Sequence, residues 1–215
     1  MRSLVAGILA LVVMWPLAAF AQEGGQFGYE EGRHYRTLAE PVATRDPAKI
    51  EVAELFWYGC PYCYQLEPLL KEWRKKLLDD VDFRPLAASL NKGWEVHART
   101  FYAAEAMGIE EQIRQPLFDA LVRDRRPLND VDSLAKFIGE LGFDEEVFRG
   151  SYKSFAVSAK VKQANDSARK YRVTGVPALV VNGKYVIEAA MAGSLETMLK
   201  VADYLIAKER QYPSS

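Results

Sequence analysis

Cysteine and histidine are scarce in this chain, and its charge is nearly balanced. The 215 residues include only two cysteines and two histidines, and the histidines, His34 and His97, lie far apart. A zinc site usually needs four such ligands, so we expect no metal ion. The formal net charge of −1 creates no strong field that would attract nucleic acid or anionic lipid. We therefore expect no nucleic-acid partner.

The two cysteines form a single Cys-X-X-Cys motif, Cys60-Pro61-Tyr62-Cys63. A disulfide across so short a loop contributes only about 2 kcal/mol in the chain-entropy model and cannot join distant parts of the fold. A chain of this length buries a sufficient core without such a link. The motif therefore indicates redox chemistry, because neither a second Cys-X-X-Cys nor a histidine pair is available to complete a metal site.

The first 21 residues are typical of a cleaved secretory signal peptide. Arg2 provides the positive charge, residues 4–17 are almost wholly apolar, and residues 19–21 (AFA) match an A-x-A cleavage site. An uncleaved membrane anchor is the alternative, but the apolar run contains Pro16 and is shorter than the roughly 20 residues that cross a bilayer. We expect an exported protein, in a compartment that permits disulfides.

The residues around the motif predict a strand, a tight turn and a helix. Residues 50–58 (IEVAELFWY) are almost continuously apolar, as in a strand buried on both faces. Apolar residues at helical spacing follow the motif up to residue 77, with a kink expected at Pro68. Residues 81–88 predict a second strand, and Pro85 within it favours a sheet edge or a strand end. Together these pieces predict a parallel βαβ unit.

The rest of the chain predicts a long helical block followed by a hairpin and a final helix. Helices are predicted at 95–107, 111–122, 131–141, 145–155 and 157–171, and strands at 178–181 and 185–189. The hairpin loop is Asn182-Gly183, or three residues if Lys184 belongs to it. The candidate helix caps are Asn129 or Asp130, Asp144 and Ser194, with Ser194 capping the helix at 194–207. The predicted fold class is α/β, with an inserted helical subdomain of about 75 residues.

A dithiol at the start of a helix is expected to contain one acidic sulfur. Unpaired backbone N–H groups and the helix dipole stabilise a thiolate there. We assign Cys60 as the nucleophile because it precedes the helix, and Cys63, one turn inside, as the resolving thiol. An acidic Cys60 is a good leaving group, and it favours the reduced protein, which makes the disulfide form a good oxidant.

The motif FWYGCPYC (56–63), the helical block and VTGVPALVVNGKY (173–185) together resemble the DsbA-type periplasmic thiol:disulfide oxidoreductases, over about residues 50–207. The resemblance implies a thioredoxin fold with an inserted helical domain, divided here into 22–90, 91–171 and 172–215. It implies that Cys60 carries the mixed disulfide and that Pro177 is a cis-proline facing the active site. Val176 before it would bind an extended substrate chain through its backbone.

The family also implies partners and a place of action. The substrates would be reduced, unfolded exported proteins in the periplasm. The redox-active disulfide would be the only cofactor. Because the sequence has no flavin, haem or quinone motif, a DsbB-like membrane protein linked to quinone would reoxidise it. A monomer is expected.

Glu54 lies inside the apolar strand, six residues before Cys60. A strand glutamate usually faces water, but the family places a buried acid here that exchanges a proton with the resolving thiol. Two positions depart from the family. Tyr62 replaces a frequent histidine, and the lysine that usually pairs with the acid is missing, with Arg84 and Pro85 in its neighbourhood. Arg84 could replace that lysine, or Glu54 could lack a countercharge.

Three other functions remain open from the sequence. Pro-Tyr between the cysteines is also the glutaredoxin dipeptide, which favours a glutathione-dependent reductase. A thioredoxin-like reductase or isomerase is the second alternative. The third is a peptide-binding chaperone without turnover, and the intact cysteine pair argues against it.

Overall fold

The computed structural model of the protein describes residues 28–212, and the predicted signal peptide lies outside them. The described part contains five strands: β1 (Arg36–Thr37), β2 (Ile50–Phe56), β3 (Val81–Ala87), β4 (Ala178–Val181) and β5 (Tyr185–Glu188). Its α-helices are α1 (Pro61–Arg74), α2 (Glu95–Met107), α3 (Glu110–Phe118), α4 (Val131–Glu140), α5 (Glu145–Lys153), α6 (Phe155–Lys170), α7 (Ala189–Ala192) and α8 (Leu195–Gln211). No helix within 28–212 is both long enough and apolar enough to span a membrane.

The five strands form one mixed sheet in the order β1-β5-β4-β2-β3. β2 and β3 are parallel and are connected through α1, which confirms the predicted βαβ unit. The other pairs are antiparallel. β3 is an edge strand, so Pro85 lies where a missing backbone donor is tolerated, as predicted.

Helices α2 to α6 lie between β3 and β4 in the chain, so the predicted α/β fold with a helical insertion is confirmed. Alternate strand residues contact different hydrophobic clusters, because successive side chains point to opposite faces of a sheet. Leu179 of β4 packs in a cluster with residues of α1 and α8. Its neighbour Val180 packs in the cluster that contains most of the apolar residues of the insertion. The sheet therefore joins both parts of the molecule.

Several boundaries differ from the predictions for local reasons. The helix predicted at 111–122 divides, because α3 ends two residues after Pro116 and a π-helical turn follows at Asp119–Arg123. The hairpin loop includes Lys184, since β4 ends at Val181 and β5 begins at Tyr185. The short helix α7 was not predicted, because its four residues are too few to show a period.

The structure confirms caps at all three predicted helix starts, and at the first of them the cap is Asp130, not Asn129. Asp144 and Ser194 accept hydrogen bonds from backbone N–H groups in the first turns of α5 and α8. Asp130 caps α4 more completely, because its carboxylate accepts from two backbone N–H groups and Ser133 completes a reciprocal capping box. These caps satisfy donors that a helix otherwise leaves unpaired at its start.

Replacing the cap of α4 tests how much Asp130 contributes to stability. Asp130→Ala should lower the free energy of unfolding by about 1 kcal/mol, because the first turn of α4 loses its side-chain acceptor. Asp130→Asn is the matched control, since an amide oxygen caps nearly as well, and it should cost a few tenths of a kcal/mol. Urea denaturation measures both. An equal loss in the two variants would contradict a capping role.

Candidate active site

The two cysteines lie at the junction between β2 and α1. Cys60 is the N-cap residue of α1, with an extended backbone at φ −89° and ψ 118°, and Pro61 begins the helix. The backbone N–H of Cys63 donates a hydrogen bond to the Cys60 sulfur across 3.4 Å. Neither cysteine forms a disulfide in this structure, so the contacts are those of the dithiol.

The two sulfurs have opposite environments. Hydrogen bonding from the Cys63 thiol, followed by that from the backbone N–H groups of Cys63 and Tyr62, lowers the pKa of Cys60 to about 6 against the opposing effect of burial. Burial raises the pKa of Cys63 well above its usual value. Both residues are buried, Cys63 more completely at 1% exposed than Cys60 at 7%. The expected acidity of Cys60 therefore depends on Cys63 as much as on the helix terminus.

The turn before Cys60 is braced by aromatic rings. Trp57 stacks on Trp94 with ring centroids 4.5 Å apart, and its indole N–H donates to His97 Nδ1 at 2.9 Å. Gly59 lies against the Trp57 ring so closely that a Cβ atom there would be 2.3 Å from Cζ2. Only glycine fits this position, which fixes the approach of the chain to Cys60.

A second loop contributes the other wall of the site. The Val176–Pro177 peptide bond is cis, as the family resemblance implied. The Cys60 thiol lies 3.5 Å from the Val176 carbonyl oxygen, to which it donates. A groove of about 530 Å³ begins here and continues past the side chain of Tyr62, which is 62% exposed. Its lining includes Thr174, Gly175, Val176, Pro177, Glu188, Ala189, Gly193 and Leu195.

Glu54 is buried in the middle of β2. It is 1% exposed, so the interpretation of Glu54 as a solvent-facing strand residue is wrong. Burial raises its pKa to about 7, while the guanidinium of Arg114, 2.8 Å away, opposes that increase. The charge of Glu54 adds a small further increase to the pKa of Cys63.

The countercharge of Glu54 differs from the residue that the sequence suggested. Arg84 was the candidate, but its guanidinium lies 3.6 Å from Glu51 instead. Alternate residues of a strand face opposite sides of the sheet, so the side chain of Arg84 is directed away from Glu54. The neighbour of Glu54 on β3 is Pro85, which has no charge. Arg114 in α3 of the insertion supplies the cation.

Sequence reasoning missed Arg114, although the sequence contains a signal for it. Arg114 lies between Ile113 and Leu117 on the buried side of α3, where an arginine needs an acidic partner. The position indicates a buried ion pair but does not identify the acid. That acid lies 60 positions earlier in the chain.

The structure thus brings together most of the predicted site residues. Tyr62, Val176 and Pro177 line one groove, and the Cys60 thiol contacts the Val176 carbonyl at its edge. Cys63 and Glu54 are buried behind this surface, and the charge of Glu54 affects Cys63. Within residues 28–212, no three His, Cys, Asp or Glu side chains form a group able to hold a metal ion. The expectation that the disulfide is the only cofactor stays a prediction.

Sequence comparisons give the same family over almost the whole chain. A family model described as a DSBA-like thioredoxin domain matches residues 70–201. The thiol:disulfide interchange protein DsbA of Pseudomonas aeruginosa is 41% identical over 211 residues, which cover 98% of each chain. DsbA of Azotobacter vinelandii is also 41% identical, over 98% of this chain and 99% of the relative.

Solved structures agree in fold. The crystal structure of Pseudomonas aeruginosa DsbA has a TM-score of 0.82 and 43% sequence identity, with 85% of this chain and 95% of that chain covered. The oxidoreductase NmDsbA1 from N. meningitidis has a TM-score of 0.76 at 30% identity, covering 86% of this chain and 96% of that chain. The expected thioredoxin fold with a helical insertion is therefore confirmed.

Titration of the reduced protein tests the asymmetry of the two sulfurs. Thiolate absorbance at 240 nm should appear as the pH rises through about 6, the pKa of Cys60. Cys63 should add no thiolate in the same range, because burial raises its pKa. In Cys63→Ala the transition should move toward higher pH, since the main hydrogen bond to Cys60 is lost.

Cys60→Ser is the control for this titration and should remove the transition near pH 6. A wild-type transition only near pH 8.5, the range of an unperturbed thiol, would contradict the acidity of Cys60.

Proposed function

The chain belongs to the DsbA family of thiol:disulfide oxidoreductases, and from this we propose that its Cys60-Cys63 disulfide oxidises reduced exported proteins. The observation that carries the proposal is the hydrogen bonding of the Cys60 sulfur by Cys63 at the start of α1. This arrangement stabilises a thiolate on the sulfur that must leave when a client disulfide forms.

The reaction consists of two exchanges at sulfur. A client thiolate attacks Cys60, the Cys60–Cys63 bond breaks, and Cys63 leaves with the electron pair and takes up a proton. A second client thiolate then attacks the client sulfur of the mixed disulfide, and Cys60 leaves as a thiolate. The client loses two thiol protons and two electrons, and the protein becomes a dithiol.

The acidity of Cys60 makes the disulfide oxidising. The pKa of Cys60 is lowered in the folded protein, so its thiolate stabilises the reduced fold. This stabilisation is complete above the unfolded thiol pKa of about 8.5 and is lost as the pH falls through the folded value of about 6. The oxidised protein has no Cys60 thiolate, so its fold is not stabilised in this way. The equilibrium near neutral pH is thereby moved toward the reduced protein and the oxidised client.

The groove beside Tyr62 is the proposed client site. Val176 and Pro177 border it next to Cys60, and an extended client chain could pair with the backbone of Val176. Such pairing uses main-chain hydrogen bonds and makes few demands on client sequence. The apolar lining around Ala189 and Leu195 suits unfolded chains with exposed hydrophobic residues.

Glu54 is the proposed proton-transfer group. Its pKa of about 7 keeps both protonation states available near neutral pH, which a general acid-base group requires. It is buried, and its charge reaches Cys63, the leaving sulfur. It would donate when Cys63 leaves and accept when the disulfide is restored.

Continued turnover needs an electron acceptor and a compartment that permits disulfides. We assign reoxidation to a DsbB-like membrane protein linked to quinone, and action to the periplasm after removal of residues 1–21. The protein would act as a monomer. The glutaredoxin-like alternative has less support, because relatives matching 98% of the chain are DsbA proteins.

The reduction potential distinguishes an oxidase from a reductase. Equilibration with glutathione buffers should give a value well above the roughly −270 mV of thioredoxin, because the Cys60 thiolate stabilises the reduced form. The oxidised protein should also speed disulfide formation in a reduced, unfolded client. Cys60→Ser should abolish this activity. Cys63→Ser should produce no oxidised client, because it cannot form the Cys60–Cys63 disulfide.

Two other results would overturn this assignment. A potential near that of thioredoxin, with efficient reduction of insulin, would indicate a reductase. Client binding without either oxidation or reduction would indicate a peptide-binding chaperone.

A further inference from the structure

Arg114 of the helical insertion connects α3 to the strand and the helix that carry the active site. Its guanidinium lies 2.8 Å from Glu54 of β2 and 2.7 Å from Glu67 of α1. It lies 3.4 Å from Glu110, one turn earlier in α3. The residue is 3% exposed, and its guanidinium is stacked over Phe56 at 4.3 Å from the ring centroid.

The cluster has more negative than positive groups. Three carboxyls surround one guanidinium, and within residues 28–212 Arg114 is the only cation in ion-pair contact with any of them. Full ionisation would leave two uncompensated negative charges in a buried site, which is costly. Moreover, Glu67 Oε2 is buried without a hydrogen-bond partner. The arrangement therefore favours a state in which the carboxyls retain a proton.

The surroundings of Glu54 contain few other groups that could compensate its charge. The residues opposite it on β3 and β4 are Pro85 and Leu179, which do not titrate. The titratable groups that influence Glu54, or that it influences, are Cys63, Glu67 and Arg74 of α1 and Arg114 of α3. Two further groups join the cluster indirectly, Glu110 through its ion pair with Arg114 and Tyr58 through its hydrogen bond to Glu110. Of the groups that act on Glu54 directly, Arg74 has the smallest effect on its pKa. The protonation of Glu54 is thus governed mainly by burial, Arg114 and Glu67.

We propose that Arg114 is a positioning residue for disulfide exchange, which holds the Glu54 side chain in place and sets the pH range in which Glu54 carries the proton needed by the leaving sulfur. The inference rests on the proposed function. When a client thiolate breaks the Cys60–Cys63 bond, the electron pair goes to Cys63 and the Glu54 carboxyl gives it a proton. This transfer leaves Glu54 as a carboxylate. When the disulfide is restored, Cys63 returns a proton to the cluster.

The pH dependence of the first exchange provides the test. Oxidised protein is mixed with a reduced two-cysteine peptide, the reaction is quenched with acid, and the rate is divided by the fraction of peptide thiolate. In wild type this corrected rate should fall about tenfold between pH 6 and pH 8 as Glu54 loses its proton, and Glu54→Gln should remove the fall.

Arg114→Met should move the midpoint of the fall to higher pH, because the cation that lowers the pKa of Glu54 is gone. At pH 8 the corrected rate of Arg114→Met, divided by its own plateau rate, should be several-fold above the same ratio for wild type. Glu67→Gln should move the midpoint in the opposite direction, because the charge of Glu67 raises the pKa of Glu54. Loss of structure alone would not produce opposite shifts.

Arg114→Lys separates charge from positioning. A lysine keeps the positive charge but cannot bridge two carboxylates with a planar fork. Its midpoint should stay close to that of wild type while its plateau rate falls. Arg123→Gln is the matched control. Arg123 is an exposed arginine in the π-helical turn after α3, and it pairs with Asp119 and Asp124. It should leave both midpoint and plateau unchanged.

The outcomes separate this inference from the proposed function. A wild-type protein that cannot oxidise the peptide contradicts the function itself. A protein that oxidises it, but whose midpoint is the same in Arg114→Met and Glu67→Gln as in wild type, overturns the role of Arg114. If Arg114→Met does not fold, Glu67→Gln and Arg114→Lys decide the question. An unchanged midpoint in Glu67→Gln, together with an unchanged plateau rate in Arg114→Lys, then overturns the role of Arg114.

Discussion

The hydrogen bonds from Cys63 to the Cys60 sulfur are the interaction on which the active site depends. They exist because a buried strand ends at a turn whose Gly59 fits under Trp57, and because Pro61 begins a helix directly after Cys60. Each neighbouring feature preserves that geometry. The strand fixes the direction of approach, the aromatic stack fixes the turn, and the helix presents its first N–H groups to one sulfur. A thiolate at this position is therefore stabilised by groups already oriented before any client arrives.

A second constraint acts at Glu54, where charge is separated from water. A carboxyl in the interior of a sheet needs a partner, and the adjacent edge strand provides only Pro85 at that register. The partner comes instead from the helical insertion, as Arg114. The insertion consequently has a chemical connection to the thioredoxin core in addition to the hydrophobic one. Its position relative to β2 and α1 bears directly on Glu54, the group proposed to exchange protons with the leaving sulfur.

Local patterns predicted much of the fold and the centre of the site. The apolar run of β2, the Cys-X-X-Cys before a helical period, and the cap at Asp130 depend on residues close together in sequence. The family resemblance added the cis bond before Pro177, which residue type alone does not indicate. The pairing of Glu54 with Arg114 joins positions 60 apart, and its partner was wrongly sought in Arg84. Long-range contacts of this kind depend on how helices dock on the sheet, which no local period specifies.

The site's direction of reaction follows from the contrast between its two sulfurs. Cys60 lies at the opening beside Val176, and its thiolate is favoured near neutral pH. Cys63 is shielded, and burial disfavours its anion. A client can therefore reach only one sulfur easily, and the other must leave as an unstable anion unless a proton arrives. The acidity of Cys60 sets the equilibrium of exchange, whereas the burial of Cys63 creates a kinetic demand for protons. Tyr62 contributes a hydrogen bond from its backbone and no charge. The proposed source of that proton is therefore the cluster of carboxyls around Arg114.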